Sequence, residues 1–167
     1  MNKQQIDYTE YRNLISKICR DMVMDNWRPD YIVGITRGGS LPAVMISQYF
    51  NIPMMSLDVS LRDSSYPPTS NLGMAEDAYN GEKILIVDDI NDTGATLNWI
   101  MKDWESGCYP SNRSIWDHVW GENVRFAVVV DNLSSQCQVG MYYVGMEVNK
   151  AENNVWIDFF YENFWMA

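Results

Sequence analysis

An apolar run, Ile84-Leu85-Ile86-Val87, ends in two adjacent carboxylates, Asp88 and Asp89, and after Ile90-Asn91 the chain continues Asp92-Thr93-Gly94-Ala95-Thr96. Neighbouring carboxylates repel each other. They are at ease when they accept hydrogen bonds from a sugar diol or when a Mg²⁺ ion sits beside them. The same pair also suits an acidic, solvated approach to a helix N-terminus, favoured by the helix dipole. Hydroxyls and small residues at a helix start let backbone N–H groups close on an anion, so the stretch from Asp92 to Thr96 is a candidate phosphate cradle. A plain helix start capped by Asp92 or Thr93 is the other reading. Neither the P-loop pattern nor a Gly-x-Gly-x-x-Gly after a strand is present, which sets aside both of those nucleotide sites. A second candidate, Thr36-Arg37-Gly38-Gly39, follows the apolar run from Tyr31 to Ile35. An arginine there can hold phosphate or pyrophosphate through two parallel hydrogen bonds, and the glycines permit unusual backbone angles. A Gly-Gly turn with a solvated arginine would read the same way.

The elements around these segments follow from periodicity. Asp7 as N-cap, with Glu10 at capping-box spacing, predicts a helix over 8–25 whose apolar face carries Tyr11, Leu14, Ile15, Ile18, Cys19, Met22 and Val23. Strands are expected over 31–35, 53–61, 83–87 and 124–130, with late strands over 141–148 and 155–161; helices are expected over 41–50 and 94–105. A Ser-, Pro- and Asn-rich loop should occupy 62–73, and an acidic loop 88–93. Strand, turn and helix in alternation specify an α/β fold with a doubly wound, mainly parallel sheet flanked by helices. Ligands of such sheets bind beyond the carboxyl ends of the strands, where both candidate segments fall, so the two have reason to converge.

The 167 residues, 47% hydrophobic, fit a single domain spanning 1–167. A net charge of −10 disfavours nucleic acid and anionic membrane as partners, although a local basic site can still bind a phosphorylated substrate. No apolar run approaches the roughly 20 residues of a bilayer span, and the N-terminus is polar, so a cytoplasmic chain with no membrane partner is expected. Cys19, Cys108 and Cys137 have neither disulfide-framework nor zinc spacing, and His118 is the sole histidine. Metal-thiolate and triad hydrolase chemistry therefore have little to stand on.

Taken together, the segments resemble the type I phosphoribosyltransferases. The apolar strand, paired acids, two variable residues and Asp-Thr-Gly-x-Thr from Val87 to Leu97 are similar to that family's ribose-phosphate signature. Within the family, Thr36 to Gly39, the Ser65-Tyr66 pair and Trp156-Ile157-Asp158 are most similar to the 6-oxopurine branch, which includes the xanthine-guanine and hypoxanthine enzymes. The resemblance implies a small hood built from the termini. It implies phosphoribosyl pyrophosphate and a nucleobase as substrates, Mg²⁺ as cofactor, purine salvage as the role, and a homodimer or homotetramer. Asp88 and Asp89 would hold the ribose hydroxyls and position the metal; Asp92 would exchange a proton near N7 of the base; Thr93, Gly94, Ala95 and Thr96 would bind the 5′-phosphate. Thr36, Arg37 and Gly38 would hold pyrophosphate, with a cis peptide before the arginine. Trp156 would stack on the base and Ile157 would read its edge, with Asp158 beside them. The loop over 62–73, carrying Ser65 and Tyr66, would close to exclude water.

Two features depart from that pattern. The 6-oxopurine enzymes carry a base-contacting lysine after the strand matching 124–130, whereas this chain has Asp131-Asn132. The Asn132 amide would donate in its place, and Asp131 would accept from an amino group. The segment 106–123, with Tyr109, Trp116 and Trp120, looks longer than its bacterial counterpart and should pack either locally or against the hood or a subunit partner. Trp156 itself could be a core residue rather than a stacking platform, since a strand places it on one face with Asp158 and Phe160. Phe159, Phe160, Tyr161, Phe164 and Trp165 are expected in a C-terminal lid or contact. A regulatory nucleotide-binding member of the family, or an enzyme using another nucleobase, are the alternatives to a purine phosphoribosyltransferase.

Overall fold

The computed structural model of the protein describes residues 1–59, 61 and 68–166. In chain order the elements are β1 (Asn2–Ile6), α1 (Tyr8–Met24), β2 (Tyr31–Thr36), α2 (Ser40–Phe50), β3 (Met54–Asp58), α3 (Leu72–Tyr79), β4 (Ile84–Asn91), α4 (Ala95–Gly107), α5 (Arg113–His118), β5 (Val124–Asn132), β6 (Tyr143–Val148) and β7 (Val155–Phe159). Five strands form one sheet in the order β3-β2-β4-β5-β6, with every pairing parallel. Side chains alternate across it. Ile32, Leu85, Val87, Ala127 and Val129 pack on the face covered by α1 and α2. Val33, Ile35, Ile84, Ile86 and Phe126 pack on the face covered by α3, α4 and α5. With both faces buried, the strands read as unbroken apolar runs.

The helix after Asp7 forms as expected, with the Asp7 carboxylate accepting from the Glu10 amide at 2.8 Å. Val23, expected on its apolar face, is exposed, because the packed stripe runs through Tyr11, Ile15, Ile18, Cys19 and Met22. The polar N-terminus is also a strand. β1 pairs in parallel with β7, Gln4 opposite Ile157, so the hood expected from the termini is a two-stranded sheet. Only Ile6 of β1 is buried, so backbone pairing rather than an apolar pattern makes this strand. The residues Leu72 and Gly73, expected in a loop, open α3; Asn71 caps it, and Met74, Ala75 and Ala78 face the core.

The segment 106–123 packs locally. Trp116 is fully buried and donates to the Cys108 carbonyl at 2.8 Å, while Trp120 stacks between Trp116 and Phe126. The C-terminal aromatics divide. Phe159, Phe160 and Tyr161 pack edge-on against Tyr11, whereas Phe164 and Trp165 are exposed. Among the described residues no helix is long and apolar enough to cross a membrane.

Candidate functional site

The first departure that matters for the site is the length of β4. It does not end at Val87 but runs on to Asn91, because β5 continues beside it, with Ile90 opposite Val130 and Asn91 opposite Asp131. Asp88 and Asp89 therefore stand on a strand rather than in a loop. One oxygen of each is fixed by the following amide: Asp89 N donates to Asp88 Oδ1 at 2.9 Å, and Ile90 N to Asp89 Oδ1 at 2.7 Å. The turn after β2 presses against this carboxylate. A Cβ on Gly38 would collide with the Asp89 carboxyl, which explains the glycine.

Gly94 opens α4 with φ of +88°, a conformation that strains any other residue, and a Cβ there would also run into the Cys137 backbone. The loop over 133–138 lies against the helix start. Gln136 N donates to the Thr93 carbonyl at 2.9 Å, and Asn98 exchanges hydrogen bonds with Gln136 O and Gln138 N, each at 2.9 Å. Thr93 Oγ1 accepts from Ala95 N at 3.2 Å. The first amides of a helix have no partner within it, and here they border the cavity, as a phosphate cradle requires.

A cleft of about 350 Å³ opens at this end of the sheet. Asp88, Asp89, Asp92 and Thr93 to Thr96 line it from β4 and α4, Thr36 and Gly38 from the end of β2, and Trp156 and Ile157 from the hood. A second cavity of about 430 Å³ adjoins it; the two share Asp92, Thr93, Lys150 and Trp156, and the second adds Asn132, Ser134 and Gln136. Trp156 is 41% exposed, so it presents its ring to these cavities rather than filling the core.

Other predicted residues stand differently. The Thr36–Arg37 peptide is cis, as the resemblance implies, but the Arg37 side chain is exposed and does not line the cleft. Asp158 accepts from Asn163 Nδ2 at 3.1 Å and does not line it either. Asn132 reaches the site, yet its side chain works within the protein: Nδ2 donates to the Asp92 carbonyl at 2.8 Å, and Oδ1 accepts from Ser134 N, Ser134 Oγ and Lys150 N. Asp131 is held by Asn91 Nδ2 at 2.8 Å; burial first, and then the charge of Glu147, push its carboxyl up, while the Asn91 hydrogen bond opposes them. Ser65 and Tyr66 lie outside the described residues.

Sequence reasoning missed Lys150. Its Nζ lies 2.9 Å from Asp92 Oδ1 and 5.9 Å from the centre of the Trp156 ring, and its side chain is 15% exposed. The available signal was positional: the turn after β6 leaves the carboxyl end of a parallel strand and so must lie at the ligand end of the sheet.

Negative charge lines much of the cleft, from Asp88, Asp89, Asp92 and Glu162. Glu162 lines it, and burial first, then the charges of Asp89 and Asp158, push its carboxyl up. Burial, reinforced by Asp89, likewise raises the hydroxyls of Tyr11 and Tyr161 and keeps them neutral.

Known proteins share this fold. The family profile of the phosphoribosyl transferase domain matches residues 2–165. Xanthine phosphoribosyltransferase 1 of Saccharomyces cerevisiae is 26% identical over 126 residues, covering 62% of this chain and 60% of that protein. The hypoxanthine-guanine phosphoribosyltransferase of Schizosaccharomyces pombe is 27% identical over 117 residues, covering 54% and 56%. The chain thus spans less than two-thirds of the length of these curated relatives. A purine phosphoribosyltransferase structure from Pyrococcus horikoshii superposes with a TM-score of 0.68 at 22% identity, over 98% of this chain and 96% of that one, which places the fold. By the match along nearly its whole length, the chain belongs to the phosphoribosyl transferase domain family.

Proposed function

We propose that the chain transfers the 5-phosphoribosyl group from phosphoribosyl pyrophosphate to a purine base, with hypoxanthine, guanine or xanthine as acceptor. The observation that carries this reading is that Asp92 joins two cavities, one bordered by the paired acids and the α4 start, the other by the exposed Trp156. Relatives named for xanthine and hypoxanthine-guanine support it.

In this reading the amides and hydroxyls of Thr93, Gly94, Ala95 and Thr96 hold the 5′-phosphate, and Asp88 and Asp89 accept from the ribose hydroxyls. Thr36, Arg37 and Gly38 take the pyrophosphate, Arg37 by turning inward from its exposed position. The bond from C1 to the pyrophosphate oxygen breaks with its electron pair leaving on oxygen, N9 of the base bonds to C1, and the Asp92 carboxylate takes the proton from N7. Trp156 holds the base plane, and the Ile157 backbone borders its edge. The donor set also fits Mg²⁺. That ion is typically held by one or two carboxylates together with substrate phosphates, and Asp88 and Asp89 stand side by side at the cleft. Asp88 or Asp89 would hold Mg²⁺, which would supply neutralisation of the departing charge.

The test mixes the protein with phosphoribosyl pyrophosphate, Mg²⁺ and each nucleobase in turn. Nucleoside monophosphate and pyrophosphate should form in equal amounts with the 6-oxopurines. Absence of product with every base overturns the proposal.

A further inference from the structure

We infer that Lys150 is the specificity-determining residue of the base pocket: its ammonium donates to an oxygen at C6 of the purine while Asp92 takes the proton at N7. This assignment rests on the purine phosphoribosyltransferase reading. Lys150 carries the one cationic side chain among the described residues lining either cavity. Its Nζ is 2.9 Å from Asp92 Oδ1, and N7 and O6 lie side by side on one edge of a 6-oxopurine. A base stacked on Trp156 with N7 at Asp92 therefore presents O6 to the ammonium. An ammonium carries three donors and no acceptor, so it can keep its contact with Asp92 and add another.

The position is held from behind. The buried Asn132 side chain donates to the Asp92 carbonyl at 2.8 Å and accepts from the Lys150 amide at 3.0 Å, tying together the backbones of both reading residues. With its side chain 15% exposed and its Nζ 5.9 Å from the Trp156 ring centre, the lysine lies over the stacking platform rather than out in solvent. The chemistry gives a selection rule. A carbonyl oxygen at C6 accepts from the ammonium, whereas a 6-amino group sets donor against donor. The lysine that the 124–130 strand lacks is thus supplied by the turn between β6 and β7.

Calorimetric titration of IMP and AMP into the unaltered chain, K150M and K150Q tests this. The unaltered chain should prefer IMP. K150M should lose roughly 10- to 100-fold in IMP affinity, the range of a hydrogen bond to a charged group, while AMP binding changes little. K150Q, whose amide both donates and accepts, should narrow the preference between the two nucleotides, and it decides the matter if K150M does not fold. Equal losses for IMP and AMP, unchanged IMP binding in K150M, an unchanged preference in K150Q, or no preference in the unaltered chain would each overturn the role of Lys150 while leaving the transferase proposal standing. Binding of neither nucleotide by the unaltered chain overturns both.

Discussion

The half of the cleft assigned to the sugar phosphate and the half assigned to the base are built in opposite ways. The first comes from one uninterrupted stretch, Asp88 to Thr96, where β4 gives way to α4. Its geometry is largely local: Asp88 and Asp89 are each fixed by the next amide, Thr93 accepts from Ala95, and Gly94 turns the chain. The second half is gathered from Asp92, Asn132, Lys150 and Trp156, and a buried asparagine amide holds its backbones in register. A contiguous site depends on one strand–helix junction. A gathered one depends on how β4, β5, β6 and the hood align.

Asp92 belongs to both halves, and replacing it should do the most damage. D92N removes the proton acceptor while keeping side-chain volume. Turnover with hypoxanthine should fall by about 10²- to 10⁴-fold, and affinity for phosphoribosyl pyrophosphate should change far less. Steady-state kinetics read the split. Activity equal to the parent would remove Asp92 from the proton transfer.

The same contrast governs what could be read from the sequence. The doubly wound sheet and the junction from the paired acids to the α4 start were legible because both are written in local pattern: apolar runs bounded by turns, and acids, hydroxyls and glycine at fixed spacing. The strand β1 was not, since its alternation buries only Ile6 and its partner lies at the far end of the chain. Asn132 was legible as a polar residue at a strand end, but its task was not. Its side chain bonds to Asp92, Ser134 and Lys150, which ties one Nδ2 donor and the Oδ1 acceptor into the protein, and only the packed structure shows those partners. Lys150 was hidden for the converse reason, as an unremarkable residue of a polar turn until β6 and β7 bring it against Asp92.

Trp156 offers a way to separate the halves. Stacking of a base on an aromatic ring contributes about 1–3 kcal/mol when removed by alanine substitution. W156A should therefore weaken base and nucleotide affinity by roughly 10- to 100-fold, with phosphoribosyl pyrophosphate affinity held near the parent value. Titration of each ligand separately checks this. Equal weakening of both would show that the hood shapes the sugar-phosphate half as well, and the contrast would fail.

The smallest effect expected is electrostatic and lies on the sugar-phosphate side. Glu162 faces a crowd of like charge, and its carboxyl is raised above the usual glutamate value of 4.5, chiefly by burial and then by Asp89 and Asp158. The folded chain thus holds this proton more tightly than the unfolded chain does. The stability that follows is fully present below the unfolded value and is lost as pH rises through the raised folded value. Glutamine keeps the shape and removes the titration. E162Q should melt higher than the parent at neutral pH, and the gap should close as pH falls below the ordinary glutamate range. The group is only half-buried, so solvent screens part of the effect and the shift should be about 1–2 °C. Thermal unfolding across that pH range reads it. A gap that persists in acid would assign the gain to packing rather than charge.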